Sequence, residues 1–250
     1  MTAFLSSSKP LLSLPETTNT PFEAFEDPEL NLFFTNCQAS DNSNSSLLWN
    51  PALLQILSDG LIIALRNLYT MTALLDTCLA FSEHDMLVYD RKRASVQHQL
   101  ADLPTPPLAV ESYHITESCR IAAVIYSNLA LWGFRPPMNL YGDLARMLQA
   151  ALQATDRADH WGTWWDILLW TLFIGGYAAL KREERMWFLR MIREVLQERG
   201  LRHWVAIRNV LERMPICRTL LDPFETLWCE AAAFMPRGEV VKDGDLVLSV

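Results

Sequence analysis

Ile167-Leu-Leu-Trp-Thr-Leu-Phe-Ile-Gly-Gly-Tyr-Ala-Ala-Leu180 decides the fold class. The run carries no charge, and from Trp161 to Leu180 the single charged residue is Asp166. A strand of a half-buried sheet alternates apolar and polar residues, and this run does not alternate. A membrane-spanning helix needs about 20 apolar residues. The uncharged part falls short of that and sits among other very apolar helical runs, so a buried core helix is the expectation and a membrane span the rival.

The neighbouring segments carry the same helical pattern. Upstream, Leu47 to Leu79 is long and apolar, with Pro51 near its start and Gly60 inside it. It reads as two helices, the first with Asn50 as N-cap and Pro51 at the first helical position. Residues 85–103 place Tyr89, Val96, Leu100 and Leu103 on one face, interrupted by Arg91-Lys-Arg93, a short basic run that reads as a solvated face. Pro104, Pro106 and Pro107 break the chain, and a helix over about 109–133 stops at Gly133 and Pro136-Pro137. Asp143 reads as the cap of the next helix, striped by Leu144, Leu148, Ala151 and Leu152. Downstream, Phe188, Ile192, Val195 and Leu196 face inward over 185–199, and Gly200 ends that helix. Trp204, Ile207, Leu211 and Met214 mark another. Asp222-Pro223 reads as the opening of a last one, running through Phe234. The expectation is an all-α domain of about eight helices over 47–235, which could stack as antiparallel pairs.

Two flanks differ from it. Residues 1–46 are rich in Pro, Ser, Thr and Asn and read as a disordered arm. Within the arm, Phe22-Glu-Ala-Phe-Glu-Asp-Pro-Glu-Leu-Asn-Leu-Phe-Phe34 mixes acidic and aromatic residues. That suits an activation segment that folds on a partner, or a short helix on the domain edge. Residues 236–250 read as a tail, with Val240-Val241 and Leu246-Val-Leu248 as extended pieces at best. Met1 to Leu14 has one Lys and no uninterrupted apolar stretch, unlike a signal peptide.

Composition narrows the function. Half of the 250 residues are apolar, with 9 Trp and 11 Phe, which is ample for a core. The net charge of −8 opposes binding to a phosphate backbone. Five cysteines (37, 78, 119, 217 and 229) are widely spaced and form no C-x2-C, which suggests a reducing compartment.

Motifs that carry chemistry are scarce. There is no G-x-S-x-G, no phosphate-binding glycine loop and no H-E-x-x-H. Glu111-Ser-Tyr-His114 has ligand spacing, but a di-iron bundle needs two such motifs. Cys119 lies in an apolar helix, where a thiol loses reactivity. No catalytic residue, metal ligand or cofactor is expected. Gly175-Gly176 suits close helix–helix approach. Seven tryptophans (161, 164, 165, 170, 187, 204 and 228) could line an apolar effector pocket or be bulky core, and Trp164, Trp165, Trp170, Phe173, Trp187 and Trp204 are the six chosen as candidates.

Four motifs in order carry a resemblance. Glu117-Ser-Cys-Arg-Ile-Ala-Ala-Val-Ile-Tyr-Ser127, Leu168-Leu-Trp-Thr-Leu-Phe-Ile-Gly-Gly-Tyr-Ala-Ala179, Arg185-Met-Trp-Phe-Leu189 and Leu227-Trp-Cys-Glu230 resemble, over about residues 50–235, the C-terminal regulatory domain of fungal zinc binuclear cluster transcription factors. The resemblance implies an α-helical regulatory domain in the nucleus. It would hold the activator in check, contact other transcription factors or coregulators, and in some members sense a small molecule; dimerisation with a complete factor is one reading of this chain. It implies no catalytic role for the matched residues. That family's zinc cluster needs six cysteines beginning C-x2-C, and residues 1–50 hold only Cys37. Direct nucleic-acid binding by this chain is therefore not expected. The alternative is a helical enzyme with an apolar pocket in specialised metabolism. A membrane-associated helical protein is a third reading, and membrane association is not expected.

Overall fold

The computed structural model describes residues 47–77, 82–103, 113–131, 138–155, 161–180 and 182–233. The arm 1–46 with its acidic-aromatic patch, the tail 236–250, Glu111, Cys37, Cys78 and the proline breaks at 104–107 and 136–137 lie outside these residues.

Among the described residues the chain is all-α, as expected, with eight α-helices and two 3-10 helices. The α-helices are α1 (Asp59–Thr77), α2 (Glu83–Asp102), α3 (Tyr113–Ala130), α4 (Met138–Gln153), α5 (Trp165–Ala178), α6 (Glu184–Glu198), α7 (Trp204–Leu211) and α8 (Arg218–Ala233). Helices adjacent in sequence pack together: α1 with α2, α3 with α4, α5 with α6. The centre is α5, which touches α3, α4, α6, α7 and α8. Twelve of its fourteen residues are buried. A helix apolar on every side must be enclosed, and here five helices enclose it. No described helix is long and apolar enough to cross a membrane.

Local signals explain several boundaries. Ser82 caps α2 through a capping box: its hydroxyl accepts from the Asp85 N–H (3.1 Å), and the Asp85 carboxylate accepts from the Ser82 N–H (3.0 Å). Gly200, at φ 65°, ends α6. The Leu201 N–H reaches the Leu196 carbonyl (2.9 Å) and the Gly200 N–H reaches that of Gln197 (3.2 Å), the double closure that a left-handed residue permits. Asn50 caps as expected, its side chain accepting from the Ala52 N–H at 3.0 Å. The element it starts is a 3-10 turn, Pro51–Gln55, and not an α-helix.

Two expected helix starts are corrected. Asp143 does not cap α4, which begins at Met138. It lies inside the helix, exposed, and pairs with Arg146 one turn on (3.4 Å). Asp222-Pro223 does not open α8 either. That helix begins at Arg218 and keeps Pro223 inside. Its start is held by Asp76 at the end of α1, whose carboxylate accepts the Arg218 N–H at 3.0 and 3.1 Å. This tertiary cap moves the start back by one turn and offsets the ladder bond that Pro223 cannot donate.

Candidate functional site

The six aromatic candidates do not gather around one pocket. At about 100° per residue, α5 turns Trp170 and Phe173 to one side and Leu168 and Leu172 to the other. On the first side the rings form a core seam. Trp170 is fully buried, leans on Tyr126 (6.1 Å between ring centroids) and donates from Nε1 to the Pro215 carbonyl at 2.8 Å. Phe173 meets Phe224 (5.4 Å) and Trp204 (6.4 Å), and Trp204 stacks on Trp228. Trp165 lies under the Arg199 guanidinium, 5.2 Å from the ring centroid. Trp164 packs on the edge of the core beside it.

The second side of α5 has a cavity of about 200 Å³, against α4 and α6. Leu152, Trp161, Leu168, Leu172, Trp187 and Met191 supply its apolar walls. Of the six candidates, Trp187 alone lines it. Its two polar lining residues are Gln153 and Thr155. The Thr155 hydroxyl is engaged twice: it accepts from Trp161 Nε1 (2.9 Å) and donates to the Leu152 carbonyl (2.6 Å). Gln153, exposed, is left to offer hydrogen bonds at the mouth. The cavity thus suits a small, mostly apolar molecule with one polar end. A helical wheel through 165–178 would have separated the two sides. Trp161 belongs to the same aromatic signal in the sequence, and the part played by Met191 needed the tertiary structure.

The motif residues are spent on joining helices. Arg120 and Glu117 form a two-pronged ion pair on α3 (2.8 and 2.7 Å), both side chains largely buried. Cys119 is fully buried, and burial pushes its thiol up to about 12, so it holds no thiolate at neutral pH. Gly175 lies so close to α6 that a Cβ there would overlap the Phe188 ring and come within 2.9 Å of Leu148. Arg185 ties three motifs at once. It donates to the Gly176 carbonyl (2.8 Å) and, from Nε and Nη2, to the Glu230 carboxylate (3.0 to 2.8 Å). Its guanidinium geometry makes it irreplaceable by lysine there. Arg185→Ala is expected to cost about 2 kcal/mol, because the Gly176 carbonyl loses its partner. Glu230→Gln is expected to cost under about 1 kcal/mol, since Glu230 is 40% exposed. Urea unfolding of both variants checks that order.

Asp166, Tyr126 and Thr72, also buried, are paired within the fold. Asp166, 3% exposed, accepts from Arg213 (3.0 Å) and from the Ile167 N–H (3.0 Å). Burial raises its pKa, and the Arg213 charge opposes that rise. The Tyr126 hydroxyl donates to Thr72 Oγ1 (2.7 Å), because the Thr72 proton is already given to the Leu68 carbonyl. Among the described residues no group of three or more His, Cys, Asp or Glu could hold a metal ion.

These features define a class: an all-helical domain with an apolar cavity, its motif residues committed to tying helices together. Residues 82–214, just over half of the chain, match the model of the fungal specific transcription factor domain, and the chain belongs to that family. Its role is therefore transcription-regulatory. No curated protein and no solved structure matches the chain.

Proposed function

We propose that this chain works in the nucleus through contacts with other transcription factors or coregulators, as a dimer or beside a complete family member, without a DNA-reading zinc cluster among its 250 residues. The observation that carries this reading is its cysteine spacing: five cysteines and no C-x2-C in a chain of this family. The charge of −8 argues the same way, because it repels a phosphate backbone. Apolar side chains such as Val205 (66% exposed) and Leu87 (51%) stand on the surface as contact points. The test is to capture the chain with a complete zinc-cluster factor, alongside a gel-shift assay on promoter DNA. Co-capture with no shift by the chain alone is expected. Tight, sequence-specific DNA binding by the chain alone would overturn it.

The cavity adds an effector to this reading. A molecule of one aromatic ring or a short aliphatic chain fits about 200 Å³, with its polar end at Gln153. Fragments of that kind are expected to change the fluorescence of Trp161 and Trp187 and to raise the melting temperature. Met191→Trp, which fills the rim, is expected to abolish both effects while leaving the unliganded protein folded. Binding that survives Met191→Trp would place the effector elsewhere.

The rival reading, a helical enzyme of specialised metabolism, meets walls with no ionisable side chain. Nothing lining this cavity can take or give a proton near neutral pH.

A further inference from the structure

The basic run Arg91-Lys-Arg93 leads directly into Ala94-Ser95-Val96. Lys and Arg three and two residues before a serine, with an apolar residue after it, match the charge pattern that kinases with acidic substrate clefts select. The run is not simply a solvated face. Arg93 donates to the Leu131 carbonyl (3.2 Å) and pairs with Asp90 (3.0 Å). Lys92 and Ser95 are half-buried, and Val96 is fully buried. A kinase cleft needs this segment extended, so Ser95 is reached only when α2 opens.

α2 is suited to opening. Four of its twenty residues are buried: Val88, Tyr89, Val96 and Leu100. In α5 the figure is twelve of fourteen. Elements with few buried apolar contacts open at the lowest free-energy cost. Freeing the turns around Ser95 gives up the burial of Val96 and the bonds of Arg93 to Leu131 and Asp90.

We propose that Ser95 is a phosphoacceptor for a basic-directed protein kinase, reached by local opening of α2, and that the phosphate then weakens the α1–α2 seam. The Ser95 hydroxyl oxygen attacks the γ-phosphorus of a nucleoside triphosphate. The new O–P bond forms as the bond to the β-phosphate oxygen breaks. The hydroxyl proton passes to the kinase's carboxylate base, and the nucleoside diphosphate leaves. A hydroxyl becomes a group of charge near −2 at neutral pH. One turn on, Gln99 donates to the Gly60 carbonyl of α1 at 3.2 Å. Gly60 also approaches the C-terminal end of α2: a Cβ there would stand 2.7 Å from Leu103, the residue just after the helix. A hydrated phosphate one turn from the Gln99–Gly60 bond competes with that bond, while the exposed Arg91, one turn back, draws the phosphate toward solvent.

The test incubates the whole 250-residue chain with the catalytic subunit of cyclic-AMP-dependent protein kinase and magnesium ATP, and maps the product by mass spectrometry. Phosphate at Ser95 is expected, and none there in Ser95→Ala. Arg93→Gln loosens α2 yet removes a recognition charge, so a drop of tenfold or more is expected. Val96→Ala is expected to speed the reaction at least threefold. Amide exchange across 83–102 is expected to be faster in the phosphorylated chain than in unmodified Ser95→Ala. No label at Ser95 in either the wild type or Val96→Ala overturns the site. Labelling that ignores Arg93→Gln overturns the recognition, and labelling that ignores Val96→Ala overturns the opening. Unchanged exchange overturns the effect on the seam.

Discussion

Gly175→Val is expected to destabilise the domain by about 3 kcal/mol, at the upper end of overpacking costs in a close-packed core. The reason is position. Gly175 faces the Phe188 ring and Leu148 with no space for a Cβ. Phe188 is fully buried and cannot swing away. Gly175→Ala is expected to cost less, about 1 kcal/mol net, because alanine regains roughly 1 kcal/mol of helix propensity. The pair gives a sharper check than either single change. Phe188→Leu shortens the obstructing ring, so Gly175→Ala should become nearly neutral in that background, a coupling of at least about 0.5 kcal/mol. Urea unfolding of the four proteins measures it. A Gly175→Val protein as stable as the wild type would show that α5 and α6 are not held this close.

Trp170→Ala is expected to be the most damaging single change. Truncating a buried tryptophan costs about 3–5 kcal/mol. Here it also strips the Pro215 carbonyl of the 2.8 Å hydrogen bond from Nε1. An orphaned buried acceptor adds about 1–3 kcal/mol. The sum rivals the whole stability of an ordinary domain, about 5–15 kcal/mol, so loss of soluble protein is the expected readout. Trp170→Phe separates the two contributions. It keeps most of the ring volume and removes the donor, so its cost should be about 1–3 kcal/mol. A Trp170→Phe protein with unchanged stability would mean that the Pro215 carbonyl finds another partner at no cost.

These two positions show what kind of information each level holds. The apolar run 167–180 reads as a buried helix because it lacks both charge and alternation, and α5 is one. Gly175-Gly176 reads as close approach, and the Phe188 contact agrees. Ser82 starts α2 and Gly200 ends α6 by bonds made within a few residues, so their effect is local, and for Gly200 it is visible in the sequence. Asp143 and Asp222-Pro223 carry equally good local signals and mislead. In α8 the winning cap is Asp76, 142 residues away in sequence. Nothing local to 218–223 announces it.

The candidate site divides the same way. The sequence marked an excess of tryptophan, but its choice of six mixed the two sides of α5. Trp170 and Phe173 belong to the core seam, and Trp187 faces the cavity with Trp161. The Arg185 node was legible as three separate motifs and as nothing more.

The helical class, the buried helix in 161–180 and the family are legible from the residues alone, because these rest on apolar periodicity, on missing turn residues and on motif order. The tertiary structure alone decided where α8 starts, which tryptophans share a wall, and that Arg185 binds both Gly176 and Glu230. Those outcomes depend on distances between residues far apart in the chain. Such distances arise from the packing of many side chains together, and no local pattern encodes them.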